Sequence, residues 1–342
     1  MVPATLSMFR DAIAVLQERG RVLLPGLTVT VVVAAAATFL AEHYHAPLML
    51  FALLLGIAMN FLSGETRSAA GIDVSSRAIL RIGVALLGIR VTFDQIAQLG
   101  WQPPVIVIVS LIVTILVSAL LARWLRFNTL FGFLTGAATA ICGASAALAL
   151  AAALPAHPAK EKATTFTVIG VSALSTLAMI AYPLIAHLLG LSPAAAGVFI
   201  GGTIHDVAQV VGAGYSMSQQ TGDVATVVKL MRVAMLLPVI VCAAMITRAR
   251  GDGGGARPPL LPWFAVGFVI LAAINSIGWI GPAVRDAGSD VSRWCLAIAM
   301  SAIGMKTQLR ELAAVGLKPV ILMMIETVLL AGLVLGLSHW LG

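Results

Sequence analysis

The feature that most constrains this chain is a series of eleven apolar runs, most of them long enough to cross a membrane as a helix. A hydrocarbon core of about 30 Å needs about 20 helical residues for each crossing. The sequence therefore predicts an all-α polytopic membrane protein with about 11 transmembrane helices. The runs, numbered here as spans 1 to 11, lie near residues 21–41, 46–63, 74–90, 101–123, 129–154, 164–189, 193–215, 222–248, 261–280, 291–306 and 318–340.

The composition excludes a soluble protein. Sixty per cent of the residues are hydrophobic, 10% are charged, and the mean hydropathy is +1.02. Soluble domains are about 45–50% apolar and about 25% charged. The net charge of +7 does not indicate nucleic-acid binding, because the 21 Lys and Arg residues are scattered singly between apolar runs. The three cysteines are far apart, so we expect no disulfide framework, metal site or cofactor.

The basic residues predict the orientation in the membrane. We expect residues 1–20 to form an N-terminal amphipathic helix and residues 21–342 to form a single transmembrane transporter domain. Thirteen Lys and Arg residues fall on the N-terminal side of the spans and five on the opposite side. Cytoplasmic loops carry the excess of positive charge. We therefore expect a multi-pass protein of the bacterial inner membrane with a cytoplasmic N-terminus and a periplasmic C-terminus.

An internal repeat relates the two ends of the chain. Residues 76–103 align without gaps to residues 292–319, with eight identities that include Gly and Pro matches. The repeat-related segments are 46–125 and 262–341, and they differ by seven spans. An odd shift turns one copy upside down relative to the other, and inverted repeats are typical of secondary transporters. The alternative is a chance match between helices of low complexity.

Spans 5 and 7 have the composition of discontinuous helices. Span 5, residues 129–154, carries Gly, Thr, Cys and Ser near mid-depth, and span 7, residues 193–215, carries Gly, Thr, His and Asp. Irregular backbone at membrane depth must line a cavity or be covered by protein. A helix that restarts at Gly143–Ser145 or at Thr203–His205 would present free N–H groups that attract anions. The alternative is close helix packing through small residues.

The ionisable residues of spans 7 and 8 are candidates for a functional site. His205, Asp206 and Gln209 share part of one helix face, and ionisable residues inside a membrane are functional candidates by default. His205 and Asp206 are a possible ion-coupling pair; a capping Asp beside a structural His is the alternative. Lys229 and Arg232 could neutralise Asp206 or supply positive charge to an anion site, while Lys229 could instead snorkel to the interface.

Glu326 lies within span 11 and has no obvious partner in the sequence. A carboxyl group at this depth is costly unless it is protonated or hydrogen-bonded. A packed protonated carboxyl, a scaffold hydrogen bond and a coupling role all fit the sequence.

Several segments resemble the bacterial sulfate exporter family over about residues 22–340, and the His-Asp-x-x-Gln motif is the most specific of them. That family is similar to the wider group of bile-acid symporters and sodium/proton antiporters, in which two broken helices cross inside a mobile domain. The resemblance implies an elevator-type transporter, commonly a homodimer, with spans 5 and 7 supplying the crossing. The segments are Leu53–Asn60, Leu80–Arg90, Ala140–Ser145, His205–Gly214 and Val228–Arg232.

The leading hypothesis is a secondary active transporter that exports a small anion, inorganic or organosulfur, such as sulfate. Its partners would be that anion and the lipid bilayer. The chain has no Gly-x4-Gly-Lys-Ser/Thr motif and so no ATP motor of this kind. The expected substrate-binding residues are Thr139, Cys142, Gly143, Ser145, Thr203, His205, Gln209, Lys229 and Arg232.

Two other function classes fit the same residues. A cation/proton antiporter of this architecture would use Asp206 as its ion-binding carboxylate. An intramembrane enzyme would need the Cys142 thiol activated by His205. A lone Cys in an Ala-rich helix is usually a packing residue, so we expect no catalytic residues and no enzyme. The surplus of basic over acidic groups within the spans favours an anion over a cation.

Overall fold

The computed structural model describes residues 4–44, 47–64, 66–154, 160–249, 263–307 and 316–341. The structure is 89% helical and has no β-strand in these ranges. The helices are α1 Ala4–Tyr44, α2 Leu48–Ala58, α3 Thr66–Val74, α4 Leu80–Leu86, α5 Phe93–Gln98, α6 Gln102–Trp124, α7 Thr129–Ala140, α8 Ala144–Ala153, α9 Lys160–Leu188, α10 Pro193–Thr203, α11 Val207–Met217, α12 Gln219–Ala234, α13 Leu236–Ala249, α14 Trp263–Ser276, α15 Pro282–Lys306 and α16 Leu317–Leu341.

The predicted class of an all-α polytopic membrane protein is confirmed. Within the described ranges, five helical segments are long and apolar enough to cross a membrane: residues 20–44, 102–124, 160–188, 219–243 and 317–341. Shorter apolar helices, including α7, α8 and α10, account for further spans. Every apolar run predicted from the sequence coincides with one or more of the observed helices.

Five of the six tryptophans lie at or near helix ends, and Trp294 lies within α15. All six are exposed, from 40% for Trp294 to 80% for Trp124 and Trp340. Trp124 is the last residue of α6, and Trp340 lies one residue before the end of α16. Indole rings favour the boundary between lipid and water, so these positions are those expected for a membrane protein.

Side-chain caps set where the shorter helices begin. The Asn128 side chain accepts a hydrogen bond from the N–H of Leu130 at the start of α7, at 3.0 Å. Ser192 precedes Pro193 at the start of α10, and its hydroxyl accepts from the N–H of Ala195 at 3.3 Å. A polar cap followed by proline is a common helix start, because the first N–H groups lack partners within the helix.

The N-terminal segment differs from the expectation. A separate amphipathic helix is predicted over residues 1–20, whereas α1 runs from Ala4 to Tyr44 and joins this segment to the first span. The side chains of residues 1–19 lie outside the described part of the structure. Pro25 lies inside the helix without ending it.

The chain, treated above as one domain from residue 21 onward, divides into two compact units. The first comprises Met1–Val84 and Asp286–Thr307. In it α1 approaches α3 so closely that a β-carbon on Gly26 would lie 2.7 Å from the Cα of Gly71. The Asn60 amide donates to the carbonyl of Met305 at 2.6 Å, near the end of α15. Small residues allow such close packing of helices.

The second unit comprises Ala85–Arg285 and Gln308–Gly342 and contains both predicted broken spans. Two glycines four residues apart, Gly132 and Gly136, bring α7 against α6, where a β-carbon on Gly136 would lie 2.5 Å from the Ser118 Cβ. Gly197 and Gly201 bring α10 against α12 in the same way. Repeated small residues thus position the first half of each broken span.

Candidate functional site

Span 5 is broken where α7 ends at Ala140 and α8 begins at Ala144. Gly143 precedes α8 with a φ of +63°, a conformation that residues with a β-carbon adopt at a cost. A β-carbon on Gly143 would lie 3.5 Å from the Cβ of His205. The break in span 5 therefore packs directly against span 7.

Span 7 is broken where α10 ends at Thr203 and α11 begins at Val207. The Asp206 carboxylate accepts a hydrogen bond from the N–H of Ala208 at 3.1 Å and so caps α11. Its own N–H donates to the Ser175 hydroxyl of α9 at 3.1 Å. The helix restarts later than the predicted Thr203–His205, because Asp206 supplies the acceptor that begins it.

Lys229 is fully buried between the two breaks. Its ammonium group donates to the carbonyl of Ile141 at 2.7 Å, to that of Ile204 at 3.0 Å, and to that of His205. An ammonium group has three N–H donors, so all of them are in use. The alternative prediction, that the Lys229 side chain snorkels to the membrane interface, is therefore wrong.

Arg232 lies one helical turn further along α12 and is also buried. Its guanidinium donates to the carbonyls of Thr139 at 2.8 Å and Ala140 at 2.9 Å, at the end of α7. It also donates to the carbonyls of Gly201 at 3.3 Å and Ile204 at 3.1 Å, at the end of α10. A single guanidinium thus binds the C-terminal ends of both half-helices.

These two cations compensate the negative ends of two helix dipoles. The last carbonyls of α7 and α10 have no partners within their helices and carry partial negative charge. Lys229 and Arg232 supply positive charge and N–H donors at these ends. Because α8 and α11 start beside them, positive helix ends lie at the same crossing. The arrangement brings four helix ends together at one crossing, with the ends of α7 and α10 bonded to buried cations.

His205 and Gln209 each have a buried polar atom without a hydrogen bond of standard geometry to any described residue. His205 is fully buried and its Nε2 lies 3.0 Å from the Thr327 hydroxyl of α16. The carbonyls of Thr139 and Thr203 interact with the ring, but Nδ1 has no hydrogen bond of standard geometry. The Gln209 amide donates to the Thr176 hydroxyl at 2.9 Å, while its buried Oε1 has no partner. Buried polar groups without a hydrogen bond are unusual in proteins, so these two atoms are candidates for a functional role.

The start of α8 is partly accessible. Cys142 is buried, and the N–H of Ala146 is directed to its sulfur. Ser145 is exposed, and Ala144 and Asp206 are half-buried. The first N–H groups of a helix have no partner within it. A ligand could reach this end of α8, whereas His205 and Lys229 lie deeper.

Glu326 belongs to a hydroxyl cluster that the sequence did not reveal. Its Oε1 accepts from the Thr135 hydroxyl at 2.7 Å and from that of Ser118, and its Oε2 accepts from the Thr139 hydroxyl at 3.0 Å. Thr135 and Thr139 are four residues apart on α7 and share a helix face. The sequence signal for this cluster was the four-residue spacing of these two threonines, together with a single carboxyl group within span 11. Thr139 is one of the predicted substrate-binding residues, and its hydroxyl is therefore already bonded to Glu326.

Thr203 is likewise engaged, since its hydroxyl donates to the Phe199 carbonyl at 2.5 Å within α10. The structure brings the other predicted residues together around the two breaks. Those that contact the breaks, or form them, are Cys142, Gly143, His205, Asp206, Lys229 and Arg232.

A cavity of 600 Å³ lies elsewhere in the second unit, between α5, α10 and α12. Helical periodicity places its α12 residues on the face opposite Lys229 and Arg232, so it is separate from the crossing. Asp223 in its wall accepts from the Tyr215 hydroxyl at 2.5 Å and lies 3.6 Å from Arg90. The polar residues that line this cavity are Gln95, Gln98, Gln219, Gln220 and Asp223.

Comparison with known proteins identifies the family. The family model of conserved hypothetical protein 698 matches residues 25–323. The chain is 54% identical to UPF0324 membrane protein CT0845 of Chlorobaculum tepidum over 320 residues, which cover 93% of this chain and 89% of that protein. It is 49% identical to UPF0324 membrane protein TauZ of Paracoccus pantotrophus over 322 residues, which cover 93% and 95%. No solved structure matches. The chain therefore belongs to the conserved hypothetical protein 698 family of UPF0324 membrane proteins.

Proposed function

We propose that this protein is a secondary active transporter that exports a small anion, such as sulfate or a related sulfur oxyanion, across the bacterial inner membrane. The observation that carries the proposal is the meeting of two helix breaks, with Gly143 packed against His205 and Lys229 bonded to both. Broken helices that meet inside the membrane form the substrate sites of many secondary transporters.

The charges at the crossing favour an anion. Two buried cations, Lys229 and Arg232, bind the ends of α7 and α10, and Asp206 is the carboxylate among the described residues at the breaks themselves. Glu326 is held by hydroxyl groups beside α7. Because the cations already complement the ends of α7 and α10, the start of α8 remains a positive helix end without an acidic cap. Backbone N–H groups at a helix start bind oxyanions well.

The substrate would bind at the start of α8. Gly143 and Ser145 offer backbone and hydroxyl donors there, and His205 of span 7 packs against Gly143. Gln209 would approach from the first turn of α11. Lys229 would act through its charge, since its donors are taken. Arg232, Thr139, Thr203 and Cys142 would shape the site. His205 and Asp206 would couple transport to a proton or another ion.

Transport would proceed by elevator-type alternating access, with the N-terminus in the cytoplasm and the C-terminus in the periplasm. The inverted repeat supports this mechanism, because two similar halves in opposite orientation can exchange conformations. A homodimer would provide a fixed frame for the movement.

The test is uptake of radiolabelled sulfate into proteoliposomes with an imposed pH gradient. We expect gradient-dependent flux in the wild type, loss in His205→Ala, and wild-type flux in the matched control His339→Ala, whose side chain is exposed. Flux of sulfite or a sulfonate instead of sulfate would change the substrate and keep the mechanism. Sodium/proton exchange without any anion flux would overturn the proposal in favour of a cation antiporter that uses Asp206.

A further inference from the structure

Glu326 is fully buried, yet hydroxyl groups rather than a cation surround it. Among the residues that the structure describes, no ion pair includes it. We propose that Glu326 is the proton-binding residue of this transporter and that the hydroxyls of Ser118, Thr135 and Thr139 form its binding shell. The inference rests on the proposed function and adds a carboxyl to its coupling group. Intramembrane carboxyl groups are costly and are typical of proton relays.

The hydroxyl shell can satisfy both protonation states of Glu326. In the ionised state, Ser118 and Thr135 donate to Oε1 and Thr139 donates to Oε2. The carbonyl of Gly132 lies 2.5 Å from the Ser118 hydroxyl and 3.2 Å from that of Thr135. When a proton from solvent forms an O–H bond on Oε1, the acid donates to one of these hydroxyls. That hydroxyl then turns its own hydrogen to Gly132.

This switch requires no new partner, because a hydroxyl group is both a donor and an acceptor. An arginine or lysine beside Glu326 would hold it ionised, and an entirely apolar setting would hold it protonated. The hydroxyl groups around Glu326, with the Gly132 carbonyl as an alternative acceptor, favour neither the ionised nor the protonated carboxyl group. This is the environment that a carboxyl needs if it is to bind and release a proton in each cycle.

The proton site touches both broken helices. Thr139 donates to Glu326 through its hydroxyl, while its carbonyl accepts from Arg232 at 2.8 Å. Thr327, the next residue after Glu326, lies 3.0 Å from Nε2 of His205. A change in the protonation of Glu326 would therefore alter contacts at the end of α7 and at the break of span 7.

The groups linked to Glu326 come from three elements besides its own helix. They are Ser118 on α6, Thr135 and Thr139 on α7, and His205 at the break of span 7, through Thr327. Helix α9 contributes no polar partner at this turn and contacts α16 at Met323 through Gly170. Among the residues that the structure describes, His205 is a titratable group linked to Glu326 through Thr327, and Arg232 is a permanent charge linked to it through Thr139.

A packing role for Glu326 makes a different prediction. Glutamine has the same shape and can bond to the same hydroxyls, so Glu326→Gln would retain a packing role and lose only the proton. In the liposome assay we expect the flux of Glu326→Gln to lose its acceleration by a pH gradient, so that driven flux falls to the level measured without a gradient. The matched control is Glu161→Gln on the exposed face of α9, which should keep the acceleration. Full acceleration in Glu326→Gln would overturn the proposal.

A measurement that needs no transport separates this inference from the proposed function. Infrared difference spectra of the purified protein, recorded across pH, should show the C=O band of a buried carboxylic acid that appears on acidification and is absent in Glu326→Gln. In Thr135→Val the band should appear at higher pH, because the carboxylate has lost a donor. Spectra in which Glu326→Gln and wild type share every pH-dependent carboxyl band would overturn the inference, even if sulfate is transported.

Discussion

The ammonium nitrogen of Lys229 lies 2.7 Å from the carbonyl oxygen of Ile141, at the point where the first half of span 5 has ended. The same nitrogen reaches the carbonyl of Ile204 at the equivalent point of span 7. One side chain therefore donates hydrogen bonds to two helix ends that come from distant parts of the chain. Its charge and its three donors match the needs of those ends in a medium without water.

Replacing Lys229 by methionine should destabilise the protein strongly. Methionine fills a similar space but leaves the carbonyls of Ile141, Ile204 and His205 without this donor. A buried acceptor left unpaired costs about 1–3 kcal/mol. We expect a clear fall in Tm by thermal unfolding in detergent. Lys318→Met is the control because Lys318 is exposed, and an equal Tm for both variants would contradict a structural role for Lys229.

Replacing Gly143 by alanine should also destabilise the crossing, and by less. Its φ of +63° with a ψ of −129° is a sparsely populated conformation that costs a residue with a β-carbon about 1–3 kcal/mol. The β-carbon itself would make ordinary contact with His205 at 3.5 Å, so backbone strain is the main cause. Gly332→Ala, in the middle of α16 with nothing within 4 Å, should keep or raise the Tm in the same assay. A Gly143→Ala protein as stable as the wild type would show that the turn can rearrange.

The helices and their breaks could be predicted from the sequence, whereas the partners at the site could not. Run length and hydropathy depend on neighbouring residues, and the small polar stretches around Gly143 and His205 mark the breaks locally. The partners of Lys229 lie 24, 25 and 88 residues away, and those of Glu326 lie 187 to 208 residues away. Such contacts depend on helix packing, which many apolar sequences permit in several ways.

The orientation derived from the basic residues predicts a periplasmic C-terminus. Alkaline phosphatase folds to its active form in the periplasm, while green fluorescent protein becomes fluorescent in the cytoplasm. A fusion of phosphatase after residue 342 should therefore be active in cells, and the corresponding fluorescent fusion should be dark. The opposite pair of results would reverse the orientation and assign the excess of basic residues to the periplasmic side, against the usual charge rule.

Gln209→Glu should distinguish an anion transporter from a cation transporter. Gln209 is buried on α11, and its Oε1 has no hydrogen-bond partner. A carboxylate there would add negative charge in the first turn of α11, three residues after Asp206, which should repel an anion and attract a cation. We expect sulfate flux in proteoliposomes to fall to the level of empty liposomes, while Gln98→Glu, an exposed position on α5, should leave it unchanged. Sulfate flux that survives in Gln209→Glu would place the anion away from span 7. Gained sodium/proton exchange would instead show that the sign of the charge at this crossing selects the ion.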